Sequence, residues 1–113
     1  MRKETPRPEI GMGATMGFGS DRHAATVIEV RPFKSGARKG EARAVIVQQD
    51  TATVVSGSTQ DGSASYEYSP DLNGRIREYT IRPNGKWVAK GESLRFGSRL
   101  GLGHRSEYYD PHF

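Results

Sequence analysis

Short runs of alternating apolar and polar residues recur along this chain and predict β-strands. Several runs are rich in Val, Ile, Thr and Tyr, the side chains that favour strands. No segment shows the 3.6-residue period of an amphipathic helix. We therefore expect a mainly β protein, a small antiparallel barrel or sandwich of six to seven short strands. The clearest runs are residues 24–31, 41–49, 64–69, 79–82, 86–90 and 94–102.

The segments between these runs carry weaker signals. Residues 11–19 are rich in glycine, but their spacing is not that of a dinucleotide-binding loop, so we expect a glycine-rich edge strand or a close backbone approach. Residues 50–55 are expected to extend the second strand past a bend. Residues 1–9, which contain Pro6 and Pro8, are expected to form a flexible tail, and residues 10–113 a single β domain.

The strongest local signal is a hairpin over residues 79–91. Pro83, Asn84 and Gly85 suit a three-residue loop, a type I turn followed by a left-handed glycine in a G1 bulge. The length of this loop sets the register of the two strands. The expected pairs are Arg82 with Lys86, Ile81 with Trp87, Thr80 with Val88, Tyr79 with Ala89, and Glu78 with Lys90.

The two faces of this hairpin predict different roles. Tyr79, Ile81, Trp87 and Ala89 share one face, which we expect to be core. The other face places Arg82 and Lys86 directly opposite each other, and like charges in that position are destabilising. Either solvent screens the two cations or an anion lies between them.

Composition narrows the class of protein. At 113 residues with 34% hydrophobic content, the chain is one domain with a thin core, which homo-oligomer formation would support. The absence of cysteine excludes disulfides, thiolate nucleophiles and cysteine metal sites. With no signal peptide and no apolar run long enough to span a membrane, we expect a soluble cytoplasmic protein. A net charge of +4 suits an anionic partner.

Candidate chemistry favours binding over catalysis. His23, His104 and His112 lie far apart and in no metal-ligand spacing, and no nucleophile elbow surrounds Ser20. No catalytic residue, metal site or cofactor is therefore predicted. What remains is arginine for phosphate recognition and aromatic rings for stacking on bases. The candidate ligand-binding residues are Phe18, Arg22, Arg82, Asn84, Lys86, Arg99, Arg105 and Tyr109.

Seven short segments, taken in order, resemble small proteins of bacteriophages and prophages, and among these the first family of anti-Thoeris phage proteins. The similarity spans about Gly11 to Phe113. The segments are residues 11–15, 20–27, 49–50, 66–68, 84–87, 103–105 and 108–113.

The resemblance implies a function. Members of this family bind and sequester cyclic ADP-ribose isomers, used as signals by a bacterial defence system, without cleaving them. It also implies homo-oligomers with the ligand near a junction between protomers, and in some members a second site for cyclic oligonucleotides. The matching binding positions are Phe18, Asn84 and Arg105. Gln49 departs from the family, which often carries a basic residue there, and Arg99 is an alternative to Arg105.

We therefore expect a phage counter-defence protein, acting in the cytoplasm of an infected or lysogenic host, that sequesters a cyclic nucleotide-derived small molecule. Two alternatives remain. The positive net charge and the exposed aromatic residues also suit a small β-barrel module that binds nucleic acid. The aromatic C-terminal residues, 106–113, also suit an assembly surface of a phage structural or adaptor protein.

Overall fold

A computed structural model describes residues 7–58 and 63–108 of the chain, and this part contains eight β-strands and no helix. It therefore contains no helix long and apolar enough to cross a membrane. The prediction of a small antiparallel β fold is confirmed, and of the two expected architectures the structure has the barrel. The strands are β1 Gly13–Phe18, β2 Asp21–Pro32, β3 Ala42–Gln49, β4 Thr51–Ser56, β5 Ser65–Ser69, β6 Ile76–Ile81, β7 Trp87–Ala89 and β8 Arg99–Leu102.

Six of these strands form a closed antiparallel barrel in the order β1-β2-β3-β6-β7-β8. The barrel closes where β8 pairs with β1, with Ala14 opposite Leu102. The expectation that the glycine-rich segment forms an edge strand was wrong, because β1 pairs with β2 on one side and β8 on the other. The segment does make a close approach: a Cβ on Gly13 would lie 2.7 Å from Nη1 of Arg105.

Strands β4 and β5 form a separate two-stranded sheet. Residues 50–55 were expected to extend β3, but β3 ends at Gln49 and Asp50 is buried at the bend before β4. Ala52 pairs with Tyr68 and Val54 with Tyr66, and the two tyrosine rings stack with their centroids 6.2 Å apart. Most residues of this sheet are exposed.

The hairpin of β6 and β7 has the register that the sequence predicts. Tyr79 pairs with Ala89, Thr80 with Val88 and Ile81 with Trp87. Gly85 has a φ of +81°, as the left-handed position of the predicted bulge requires. Lys90 donates its backbone N–H to the Glu78 carbonyl at 3.0 Å, and their side chains form an ion pair at 3.7 Å.

The core lies inside the barrel, where alternate residues of each strand point inward. Tyr79, Trp87 and Ala89 belong to this buried cluster, and Ile81 packs against it, as predicted. Val88 lies on the opposite face and is nevertheless fully buried. The loop after β7 covers it, since a Cβ on Gly97 would lie only 2.5 Å from Cγ1 of Val88. The barrel is therefore covered on part of its outer wall as well as filled inside.

Tyr79 brings a hydroxyl into this core. Its side chain is fully buried, and within the described part of the chain its hydroxyl has no hydrogen-bond partner. Burial raises the pKa of Tyr79 to about 12, while the nearby Arg77 charge acts in the opposite direction. An unpaired buried hydroxyl is destabilising. The phenol ring contributes to packing, and its oxygen does not.

We expect Tyr79→Phe to raise the free energy of unfolding by about 1 kcal/mol at pH 7, because it keeps the ring and removes the unpaired hydroxyl. A second effect appears at high pH. The unfolded tyrosine loses its proton near pH 10, whereas the folded one holds it to about 12. The protonated hydroxyl of Tyr79 therefore makes its full contribution to the stability of the folded state below pH 10, and this contribution is lost as the pH rises from 10 to 12.

Urea denaturation of both proteins at pH 7 and pH 11 measures both effects. The stability gap between Tyr79→Phe and the parent should widen at pH 11. Tyr108→Phe, at an exposed tyrosine, is the control, and the difference in stability between this variant and the parent should be the same at both pH values. A loss of stability in Tyr79→Phe at pH 7 would show that the hydroxyl has a partner.

Candidate anion-binding groove

Two of the predicted arginines lie on the outer wall of the barrel, one on each side of a glycine. Arg22 of β2 is directly opposite Gly17 of β1. On the other side of β1, Met16 pairs with Leu100, so the same antiparallel register places Arg99 of β8 next to Gly17. Directly opposite residues point to the same face of a sheet. Arg22, Gly17 and Arg99 therefore form a row across three strands, with no side chain in the middle. Nη2 of Arg99 donates to the Leu94 carbonyl at 3.0 Å, which leaves the other N–H groups of this guanidinium for a ligand.

This row belongs to a groove with a volume of about 520 Å³, which we call the arginine groove. Gly17 keeps its floor open, since a Cβ there would meet only the Arg99 carbonyl oxygen, at 3.6 Å. The imidazole of His104 lies over Gly101 beside the floor. Among the described residues that line it there is no carboxylate. The side chains used below are Thr15, Arg22, Arg99, His104 and Ser106.

One wall of the groove is formed by the segment 103–108, which we call the strap. It runs from the end of β8 across the outside of the barrel. Gly103 donates its N–H to the Gly13 carbonyl at 2.9 Å, and the Thr15 hydroxyl donates to the His104 carbonyl at 2.9 Å. Arg22 and Tyr108 exchange two backbone hydrogen bonds of 2.9 Å. The position of His104 and Ser106 in the groove thus depends on contacts along the whole strap.

Glu107 anchors the end of the strap. Its side chain is only 2% exposed. Its Oε1 accepts a hydrogen bond from the Ala24 N–H at 2.8 Å, and its Oε2 lies 2.9 Å from Nδ1 of His23. A carboxylate this deeply buried requires such donors. These two contacts therefore fix the strap against β2.

Arg105, a predicted ligand-binding residue, is part of a structural network. Its Nε donates to Oδ2 of Asp50 at 2.8 Å and its Nη2 donates to the Thr26 hydroxyl at 3.1 Å. Thr26 in turn donates to Oδ1 of Asp50 at 2.6 Å. The Asp50 side chain is fully buried, and that of Arg105 is 30% exposed. This guanidinium is committed to a buried carboxylate and lies against Gly13 rather than in the groove.

The predicted residues at the hairpin turn do not line the arginine groove and are engaged locally. Oδ1 of Asn84 accepts the backbone N–H of Lys86 at 3.0 Å, so the turn uses this side chain. Arg82 donates from Nε to the Thr80 hydroxyl at 2.9 Å and from Nη2 to the Ala89 carbonyl at 3.1 Å. Its guanidinium therefore has partners other than an anion shared with Lys86.

The aromatic candidates separate in the same way. Phe18 is half-buried at one end of the barrel interior, where the guanidinium of Arg77 lies 4.8 Å from its ring centroid and the His23 ring 5.6 Å away. Tyr109 lies outside the described residues. Of the seven predicted residues that the structure describes, Arg22 and Arg99 line the groove and the other five do not.

Sequence reasoning missed the other polar groups of the groove, Thr15, His104 and Ser106. The alternation of β1 places Thr15 on the same face as Gly17 and is a usable signal. No local pattern indicates His104 or Ser106, because they reach the groove only through the non-local pairing of β8 and the strap. Within residues 7–58 and 63–108, no three His, Asp or Glu side chains are grouped so that they could hold a metal ion.

Comparison of the chain with protein-family models, with curated proteins and with solved structures gives no match in any of the three.

Proposed function

We propose that this chain is a binding protein that sequesters a phosphate-bearing, nucleotide-derived signal in the arginine groove, and that the signal is a cyclic ADP-ribose isomer. The observation that carries the proposal is the row of Arg22, Gly17 and Arg99, two guanidinium groups on either side of an open glycine. Guanidinium groups pair with phosphate oxygens in bidentate geometry. The resemblance of the ordered motifs to anti-Thoeris phage proteins supports the choice of ligand and a counter-defence role in the bacterial cytoplasm.

The groove offers a partner for each part of such a ligand. Arg22 and Arg99 suit the pyrophosphate, whose two charged groups need two cations. The hydroxyl of Ser106 suits a ribose hydroxyl, and the His104 ring beside Gly101 offers a flat surface for a base. The missing Cβ at Gly17 lets the ligand approach the backbone of β1.

The same groove lacks the parts that hydrolysis would need. His104 is the only imidazole among its described lining residues, and no carboxylate lies there to orient it as a general base. Binding without cleavage, with slow release, is the behaviour that removes a signal from solution.

Calorimetry with cyclic ADP-ribose isomers tests the proposal. We expect Arg99→Gln to weaken binding about tenfold, the value of one charge-assisted phosphate contact, and Arg22→Gln to have a similar effect. Arg75→Gln is the matched control, since it removes an exposed arginine outside the groove and changes the net charge equally. The absence of heat with every isomer at micromolar protein would refute the proposal.

A second measurement separates sequestration from hydrolysis and from nucleic-acid binding. Heat denaturation of the loaded protein should release intact ligand, which mass spectrometry identifies by its mass. Release of a hydrolysed product would show that the protein is an enzyme and not a binding protein. Binding to RNA or DNA oligonucleotides with an affinity that falls steeply with salt, in the absence of isomer binding, would favour a nucleic-acid module.

A further inference from the structure

A larger cavity lies elsewhere on the barrel, at the end where the β2–β3 connection meets the β6–β7 turn. This end cavity has a volume of about 670 Å³, within the range of small-molecule sites, and the mouth of a β-barrel is a common place for such sites. Val30, Ala42 and Ile81 line it and are only partly buried, although they pack against the core. The barrel interior is therefore open to the cavity at this end.

The floor of the end cavity is apolar. Ile81 and Val30 present branched side chains there, and Trp87, only 5% exposed, lies beneath them. Partly exposed apolar groups at the mouth of a closed core leave hydrophobic surface in contact with water. A ligand with an aromatic or aliphatic body would cover this surface.

The rim of the cavity is basic. Arg7, Arg38 and Lys39 line it together with one carboxylate, that of Glu41, which is 3.5 Å from the guanidinium of Arg38. Arg38 also lies over the Phe33 ring, with its guanidinium carbon 4.9 Å from the ring centroid, and this contact holds it at the rim. Three cations face one carboxylate, so the rim favours an anion.

From this combination we infer that the end cavity binds a small amphipathic organic anion. Its apolar body packs on Val30 and Ile81, and its carboxylate, sulfonate or phosphate group pairs with Arg38 and Lys39. The site is separate from the arginine groove, because the two share no lining residue and lie on different parts of the barrel. It does not depend on the proposed function.

The probe for this site is 8-anilinonaphthalene-1-sulfonate, which combines an aromatic body with a sulfonate. Trp87 is the only tryptophan of the chain, so energy transfer from its indole reports binding of the probe to the protein, and the variants below locate the site. We expect saturable binding with quenching of Trp87. N-phenyl-1-naphthylamine, the same body without the sulfonate, is expected to bind about tenfold more weakly.

Two arginine variants locate the anionic group. We expect Arg38→Gln to weaken sulfonate binding about tenfold and to leave the neutral probe unaffected. Arg95→Gln is a closely matched control, since Arg95 also lies over a phenylalanine ring, 5.3 Å from the Phe96 centroid, but does not line the cavity. Equal effects of the two substitutions, equal affinity for the two probes, or no energy transfer from Trp87 would each overturn the inference.

Binding to the arginine groove provides an independent reference. The double variant Arg22→Gln/Arg99→Gln should retain probe binding in the end cavity, whereas Arg38→Gln should retain nucleotide binding in the groove. Loss of probe binding in the groove variant would place the probe there and refute a second site.

Discussion

Replacing Arg105 by alanine is expected to lower the free energy of unfolding by about 3–5 kcal/mol, because it leaves the carboxylate of Asp50 buried without its cation. The side chain of Asp50 is fully buried, and Arg105 supplies its only ion pair among the described residues. Thr26 would remain as a single hydroxyl donor at 2.6 Å. Urea denaturation followed by Trp87 fluorescence measures the loss.

A paired substitution distinguishes the missing charge from the missing packing. Asp50→Leu with Arg105→Met removes both charges and keeps apolar volume, and such replacements of buried ion pairs are often neutral or stabilising. We therefore expect the double variant to be more stable than Arg105→Ala alone. If Arg105→Ala keeps the parent stability and instead weakens ligand binding, Arg105 is a ligand residue, as the resemblance implies.

Replacing Glu107 by alanine is expected to lower the free energy of unfolding by about 2–3 kcal/mol, since the buried N–H of Ala24 loses its acceptor and His23 loses its partner. The carboxylate of Glu107 is the buried anchor of the strap, with contacts of 2.8 and 2.9 Å. Release of the strap would also displace His104 and Ser106 from the arginine groove. Chemical denaturation gives the first effect and calorimetry with a cyclic ADP-ribose isomer the second.

Glu107→Gln is the informative comparison. Its amide oxygen can still accept the N–H of Ala24, so we expect it to retain more than half of the stability that alanine loses. Ser106→Ala, next in the chain but not an anchor, should change stability by less than about 0.5 kcal/mol. Equal losses in the alanine and glutamine variants would mean that the contact between Oε2 and His23, rather than the backbone contact, holds the strap.

The parts of the fold that the sequence predicts correctly depend on neighbouring residues. The β6–β7 hairpin is the clearest case, because Pro83, Asn84 and Gly85 determine both the turn and the register within a few positions. The same local character explains why Tyr79 and Trp87 could be assigned to the core. It also explains the outcome at Asn84, whose side chain the turn itself uses.

The parts that the sequence does not predict depend on distant pairing. Nothing near Gly17 indicates that β8 would lie beside it, so β1 was expected at an edge and Arg99 could not be paired with Arg22. In the same way, the carboxylate that holds Arg105 is Asp50, more than half the described chain away. Composition and spacing identify arginines as candidates, and only the register separates those in a groove from those in a buried ion pair.

The closure of the barrel by its first and last strands affects how the chain folds as it is synthesised. β1 is synthesised before its second partner, β8, and before the strap that packs over both. Until then β1 and β7 remain strand edges with unpaired N–H and C=O groups, which can pair with another chain. Folding dominated by such distant contacts is slow. A nascent chain that stops before Leu100 would therefore be prone to aggregation, whereas the finished barrel protects both edges.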